Sequence, residues 1–367
     1  MDGVLEYIAL GNVVLLASFV IMWLFELVLK QTRFRYAYKL RLNLAVAALC
    51  TAAFPPLLTP IIDIISSGLS TNANDLIVAQ YLKGNIGLSA TQVAEALSVK
   101  NSLIENFVSA TSLLSLLAIA IFLVASCFRA AYIGLNIVRV VGLVNNAERV
   151  IKSGRVSVWA SHATQTPFST RGLLNYHVVF PASMMSDKKA IRIAMGHEAQ
   201  HIRQRDVDWE ILLSLMSPLF VLNPAFWFIS DRIRRFREYS CDIAFLNKTR
   251  CNTQEYCHLL LDIAMRAAKN RTPALAGSVP FWGREGFFKR SSKSALRQRV
   301  LALTNNTDVL QKGVARHMNL LPASLLLALM VVVIAFVSKP ADWSHDRLML
   351  SSVVNLERLN RINGFEQ

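Results

Sequence analysis

The sequence predicts a mainly α-helical membrane protein with four transmembrane helices and one soluble α+β domain that contains a short β-sheet. Hydrophobic side chains make up 53% of the 367 residues, and the mean hydropathy is +0.38, which is typical of a membrane protein. Several apolar runs are long enough to cross a bilayer. Residues 152–317 have a more polar and basic composition, and this segment is long enough to form a domain.

The first predicted span covers residues 4–29 and is followed by a basic loop. Five Lys and Arg residues between 30 and 41 have no acidic residue among them, which is typical of a cytoplasmic loop. We therefore expect the N-terminus outside. Because the chain starts with Asp2 and Glu6 and lacks a positive leading region and a small-residue cleavage site, we expect a membrane anchor and not a cleaved signal peptide. The second span covers about 42–64, and residues 65–105 form the outer loop.

The third predicted span covers about 108–128 and completes a membrane region of residues 1–151. Residues 130–151 are expected to form an amphipathic helix that leads the chain out of the membrane. A fourth span, 318–338, precedes a short tail, 339–367, which we expect outside. The protein would then be a multi-pass protein with both termini outside.

The basic excess of the chain lies on one side of the predicted membrane. Residues 129–317 contain 28 Lys and Arg against 13 Asp and Glu, whereas the remaining residues are balanced. Basic residues near spans are attracted to anionic lipid, and we expect this of Arg232, Arg234, Arg235 and Arg237. No helix-turn-helix, zinc-finger or RNP pattern accompanies the charge, so direct nucleic-acid binding is not expected. The domain at 152–317 is predicted to be cytosolic.

The chemistry of this domain is indicated by His197, Glu198 and His201, which have HExxH spacing. Residues four apart share one face of a helix, so both imidazoles can reach one metal ion. Glu198 then lies close enough to act as general base on a water molecule at the metal. This is the arrangement of a zinc hydrolase, which needs a third protein ligand and an open position.

The third ligand is predicted from a second helix, residues 231–246. Glu238 and Asp242 lie one turn apart on it, and Glu238 completes a His/His/Glu set for Zn²⁺. Asp242 and Asp206 are placed to orient the ligands through hydrogen bonds. Cys241, three positions past Glu238, is expected to be a small buried residue rather than a ligand.

An apolar segment, 211–229, separates the HExxH helix from this second helix. Its length would allow a full span, but one crossing would place the two histidines and Glu238 on opposite sides of the bilayer. Pro218 and Pro224 instead favour a broken hairpin that dips into the membrane and returns, which is allowed where protein covers the exposed backbone.

These motifs together resemble those of the BlaR/MecR-type integral-membrane zinc metallopeptidases. The resemblance covers about residues 1–338. It rests on HExxH followed by Asp206, on Asn223-Pro224, on Glu238-x-x-Cys-Asp, and on Leu-Arg-Gln-Arg-Val at 296–300. It implies a gluzincin-like fold and a place in the bacterial inner (cytoplasmic) membrane.

The resemblance also implies a function. The protein would be a zinc-dependent metalloendopeptidase that cleaves a cytosolic protein in transmembrane signalling, such as a transcriptional repressor, or that cleaves itself within 270–293. In that family the last span leads to a penicillin-binding sensor domain, which a tail of about thirty residues is too short to form. Antibiotic sensing by that route is therefore not expected.

Substrate contacts are predicted in a strand at residues 155–160. Its residues alternate as in an edge strand, so main-chain groups of Val156, Val158, Trp159 and Ala160 are expected to pair with an extended peptide. Arg299 has two open roles, either contacting the oxyanion or holding its helix in place.

Two other functions stay open. One is an HtpX- or CAAX-type membrane protease for processing or quality control, although Cys241-Asp242 and Asn223-Pro224 favour the first interpretation. The other is a non-catalytic signal transducer that keeps zinc for structure. The expected partners are a cytosolic protein substrate and membrane lipid, and a homo-oligomer stays open.

Overall fold

The fold is mainly helical with one small mixed sheet, as predicted. The computed structural model describes residues 2–32, 36–53, 73–98, 113–249, 252–269, 292–304, 324 and 345–362. The chain divides into two compact units, of which the first comprises Met1–Val20, Ala47–Phe122 and Leu321–Gln367. The second comprises Ile21–Val46 and Leu123–Leu320 and contains every predicted metal-site residue.

The elements follow one another in a simple order. The first four helices are α1 (Asp2–Gln31), α2 (Tyr38–Ala53), α3 (Ala73–Leu82) and α4 (Leu113–Asn145). The strands are β1 (Glu148–Ser153), β2 (Val156–Ser161), β3 (Phe168–Arg171) and β4 (Tyr176–Pro181). The remaining helices are α5 (Lys188–Arg203), α6 (Asp206–Met216), α7 (Pro224–Thr249), α8 (Thr253–Lys269), α9 (Ser292–Thr304) and α10 (His345–Ile362).

Two of the described helices are long and apolar enough to cross a bilayer. They are α1, over Gly11–Gln31, and α4, over Ser115–Asn145, and they overlap the first and third predicted spans. The second predicted span, 42–64, is described only as far as Ala53. The fourth, 318–338, lies outside the described residues except for 324. Four spanning helices therefore remain a prediction.

The predicted end of the third span near residue 128 stays a prediction, and the helix α4 itself continues unbroken to Asn145. Arg129 is accommodated within the helix. Its Nε donates to Ser217 Oγ at 3.0 Å, and its guanidinium lies over the rings of Tyr132 and Trp227. The expected helix at 130–151 is wrong at its end, since the helix stops at Asn145 and residues 148–153 form β1.

The sheet has the order β1-β2-β4-β3, in which only the β2–β4 pair is parallel. The edge-strand prediction for residues 155–160 is wrong, because β2 pairs with β1 on one side and with β4 on the other. Alternating side chains show that one face of a strand is buried, but they do not distinguish an edge strand from an inner one. Peptide pairing through the main chain of Val156, Val158, Trp159 and Ala160 is therefore excluded in this sheet.

The HExxH helix α5 packs across the sheet. The Asp187 carboxylate caps its N-terminus by accepting hydrogen bonds from the backbone N–H groups of Lys189 and Ala190. Ala190 and Ala194 of α5 are buried in one cluster with Phe180 of β4. Burying a phenylalanine side chain contributes about 1.5–3 kcal/mol to the stability of the folded domain. This packing fixes the position of α5 relative to the sheet, and the following part of α5 carries the two histidines.

Helix α7 passes close to α5 at Gly196, directly before the first histidine. A Cβ at this position would lie 2.5 Å from Phe245 Cε2. A side chain at residue 196 would therefore force the two helices apart or displace the phenyl ring of Phe245. Glycine here lets α7 bring Glu238 towards α5.

The segment 211–229 forms a helical hairpin between α6 and α7, and no single helix runs through it. At its tip the Asn223 side chain accepts a hydrogen bond from the Ala225 N–H at 3.0 Å, and Phe220 stacks on Phe226. Four leucines of the hairpin are exposed: Leu212, Leu215, Leu219 and Leu222. The predicted dip into the membrane agrees with this shape and stays a prediction.

In the first unit the predicted tail is partly helical. Helix α10 packs against α3 and the helical residues 90–98 of the outer loop. Leu350 and Val354 of α10 are buried there with Val78, Ala90 and Val93. The outer loop and the tail thus share one small apolar core.

Candidate metal centre

The three predicted ligands meet at one point. The Nε2 atoms of His197 and His201 are 3.1 Å apart. Glu238 approaches from α7, with Oε1 3.6 Å from His201 Nε2 and Oε2 4.0 Å from His197 Nε2. Ligands bound at 2.0–2.2 Å to a tetrahedral zinc lie roughly 3.3–3.6 Å apart. The donor set therefore fits a zinc ion.

His201 is oriented by Asp206, as the sequence predicted for this aspartate. Asp206 Oδ2 lies 2.7 Å from His201 Nδ1, so the carboxylate accepts a hydrogen bond from Nδ1–H and Nε2 faces the metal position. Burial lowers the pKa of His201, but the neighbouring Cys241, Glu238 and Asp206 raise it by more than burial lowers it. The pKa of His201 therefore lies well above its ordinary value.

Asp206 is in turn held by an arginine that the sequence analysis assigned to lipid. Arg237 is only 2% exposed, and its Nε lies 3.4 Å from Asp206 Oδ1. Its Nη1 donates to Glu210 Oε2 at 3.0 Å, and Arg234 Nε donates to Glu210 Oε1 at 2.9 Å. The lipid-facing prediction is wrong for Arg237, because the positions of four nearby arginines in the sequence do not reveal which of them faces the core.

His197 is held differently, through a tyrosine that the sequence analysis missed. Tyr256 of α8 has its hydroxyl 2.9 Å from His197 Nδ1 and donates to Asp242 Oδ1 at 2.6 Å. Asp242 itself lies 3.5 Å from His197 Nδ1. Burial and the nearby positive charge of His201 hold the pKa of His197 well below its ordinary value. A neutral imidazole is the form that binds a metal.

Arg299 of α9 joins the two carboxylates of α7. Its Nε and Nη2 donate to Asp242 Oδ2 and Oδ1 at 2.8 and 2.6 Å, and Nη1 lies 3.0 Å from Glu238 Oε2. This geometry favours the second of its two predicted roles, because a bidentate arginine fixes a carboxylate in position.

Glu198 is buried on α5, one residue after the first histidine. Burial raises the pKa of its carboxyl group, while the charge of the nearby His201 opposes that shift. A carboxylate with a raised pKa in a desolvated site is suited to accepting a proton and releasing it again.

Cys241 lies closer to the centre than expected. The donor atoms of His197, His201 and Cys241 are within 4.8 Å of one another. Its Sγ is 3.8 Å from His197 Nδ1 and 3.7 Å from His197 O. It therefore lies beside the ring nitrogen that does not face His201 Nε2. Burial raises the pKa of the Cys241 thiol to about 11. Two donor sets, one with Glu238 and one with Cys241, are thus available.

Comparison with known proteins gives two findings. The family model for the BlaR1 peptidase M56 family matches residues 8–303, which include every residue of this centre. The regulatory protein BlaR1 of Bacillus licheniformis is 23% identical over 221 residues, covering 57% of this chain and 35% of that protein. The chain thus matches about a third of the length of this relative.

Proposed function

The chain belongs to the BlaR1 peptidase M56 family, and we propose that it is a membrane-embedded, zinc-dependent endopeptidase that cleaves a cytosolic protein in transmembrane signalling. The observation that carries the proposal is the convergence of His197, His201 and Glu238, with Glu198 buried next to them. Glu238 is preferred over Cys241 as third ligand because its side chain is 31% exposed. A catalytic site must remain open to water and substrate.

The proposed reaction is hydrolysis of a peptide bond. Zinc, when bound by the three ligands, polarises the scissile carbonyl and makes water more acidic. Glu198 accepts a proton from the attacking water and delivers it to the leaving amine. Asp206 and Tyr256 keep the two imidazoles turned towards the metal, and Arg299 holds Glu238.

A link between the membrane and the centre supports a signalling role. Glu26, buried near the end of α1, pairs with Arg232 of α7, six residues before Glu238. A displacement of α1 would therefore act on the helix that carries the third ligand. The relative from Bacillus licheniformis is named a regulatory protein. We propose a repressor-like regulator or the chain itself as substrate, and the predicted self-cleavage region, 270–293, lies largely outside the described residues.

The proposed location is the bacterial inner membrane, with the zinc domain in the cytosol and both termini outside. The basic excess of residues 129–317 supports this orientation. The exposed apolar surface of α4, where Phe128 is 75% exposed, is suited to lipid.

Of the two alternative functions, the non-catalytic transducer with a structural zinc is favoured by one observation, the closeness of Cys241 to both histidines. If Cys241 were a fourth ligand, the site would be closed, as in structural zinc sites.

One experiment separates these functions. The full-length protein is purified in detergent, loaded with zinc and incubated with fluorescein-labelled casein. We expect Glu198→Gln to retain about one zinc per chain and to lose cleavage by roughly 10²-fold or more. The matched control is Glu255→Gln on α8, which removes a carboxylate that is partly exposed and paired with Lys189. A wild-type protein that binds zinc but cleaves no better than Glu198→Gln supports the structural zinc site.

A further inference from the structure

We propose that Tyr256 is a positioning residue of the metal centre, whose hydroxyl group selects the tautomer of His197 that presents Nε2 to the metal. The inference rests on the proposed function and extends it to a residue outside the HExxH and Glu238-x-x-Cys-Asp motifs. Tyr256 lies on α8, fourteen residues after Asp242.

The direction of the hydrogen bonds follows from the groups involved. Both oxygens of Asp242 accept hydrogen bonds from Arg299, so the Tyr256 hydroxyl donates its hydrogen bond to Asp242 Oδ1 at 2.6 Å. The phenol oxygen is then left as an acceptor. His197 Nδ1, 2.9 Å away, must supply the proton.

These hydrogen bonds determine which ring nitrogen of His197 is free to bind the metal. With the proton on Nδ1, the lone pair of His197 is on Nε2, which lies 3.1 Å from His201 Nε2 on the side of Glu238. The two histidines are thus oriented by different means. His201 donates directly to Asp206, whereas His197 reaches Asp242 chiefly through the phenol.

The hydroxyl group has no ready substitute. Tyr256 is 1% exposed, and its ring packs 5.3 Å from the ring of Phe245. Without the hydroxyl, the remaining neighbours of His197 Nδ1 are Cys241 Sγ at 3.8 Å, a weak acceptor, and Asp242 at 3.5 Å. Loss of such an orienting partner lowers metal affinity by about 10–100-fold.

A purely structural role for this tyrosine makes a different prediction, and a matched variant distinguishes the two. Tyr256→Phe and Tyr239→Phe each remove one hydroxyl from the same buried cluster. The Tyr239 hydroxyl donates to Gln298 Oε1 at 3.1 Å and not to a histidine. If only packing mattered, both variants would behave alike.

The test measures the zinc dissociation constant of the full-length protein in detergent by competition with a chromophoric chelator at pH 7.5. We expect about 10–100-fold weaker binding for Tyr256→Phe and a change below about threefold for Tyr239→Phe. A Co²⁺-loaded sample of Tyr256→Phe is expected to show altered visible absorption bands, which a loss of packing elsewhere would not produce.

Two results would overturn the inference and leave the proposed function standing. One is zinc binding by Tyr256→Phe as tight as that of a zinc-binding wild type. The other needs no folded variant: nitrogen NMR of histidine-labelled, zinc-loaded wild type that finds His197 bound to the metal through Nδ1. If the wild type binds no zinc at all, the proposed function fails together with this inference.

Discussion

Replacing Arg237 by Met tests whether the buried charges behind His201 hold the centre together. Arg237 contacts both Asp206 and Glu210, and methionine fills much of the same volume without charge. Glu210 would keep its hydrogen bond from Arg234, but Asp206 would lose its cationic partner. Removing one member of a buried ionic network costs about 3–5 kcal/mol, and the remaining partner of Glu210 favours the lower value.

That loss can be measured as a melting temperature. For a domain of this size, about 3 kcal/mol corresponds to a decrease of roughly 6–12 °C. The matched control is Arg235→Met, two residues away, because Arg235 pairs with Asp231 on the surface of the same helix. A surface pair contributes about 1 kcal/mol or less. Equal melting temperatures for the two variants in detergent would refute the network.

Three further predictions concern the same centre. Gly196→Ala should destabilise the protein by about 1–3 kcal/mol, measured by thermal melting, because the new Cβ would meet Phe245 at 2.5 Å. Zinc affinity should rise about tenfold between pH 6.5 and 7.5, measured by chelator competition, because His201 has a raised pKa and must lose its proton to bind. Arg299→Gln should weaken zinc binding by about 10–100-fold, because Asp242 and Glu238 lose a shared partner.

Each of these three predictions has a control variant or a result that would contradict it. Gly142→Ala adds a methyl group within α4 where nothing lies within 4 Å, so it should not lower the melting temperature. For the pH series, a histidine with an ordinary pKa near 6.5 would give less than about a twofold change over the same interval, and that outcome would contradict the account. Arg297→Gln, on the exposed side of α9, should retain wild-type zinc affinity.

The residues of the centre could be predicted where spacing along one helix decides the geometry. His197 and His201 are one turn apart, and that spacing alone indicates a shared metal ion. Glu238 could be inferred because a zinc hydrolase needs a third donor, and its distances to both histidines agree with that inference. Asp206 was expected near the ligands and does contact His201.

Contacts between distant elements could not be predicted in this way. Tyr256 reaches His197 from 59 positions away, and one tyrosine among eight carries no spacing signal. Arg237 could not be distinguished from its charged neighbours, because its burial depends on where Glu210 lies. The inner position of β2 was missed for a similar reason, since strand order is set by long-range pairing. Arg129 within α4 is contacted by Ser217 and Trp227 of the distant hairpin.

The most direct test of the account is the zinc content of the detergent-purified, full-length protein, measured by elemental mass spectrometry. We expect about one zinc per chain. We expect the zinc to be lost in His197→Ala and Glu238→Ala and retained in Cys241→Ser. Zinc that stays bound without Glu238 but is lost without Cys241 would contradict the account, because the site would then be closed and structural.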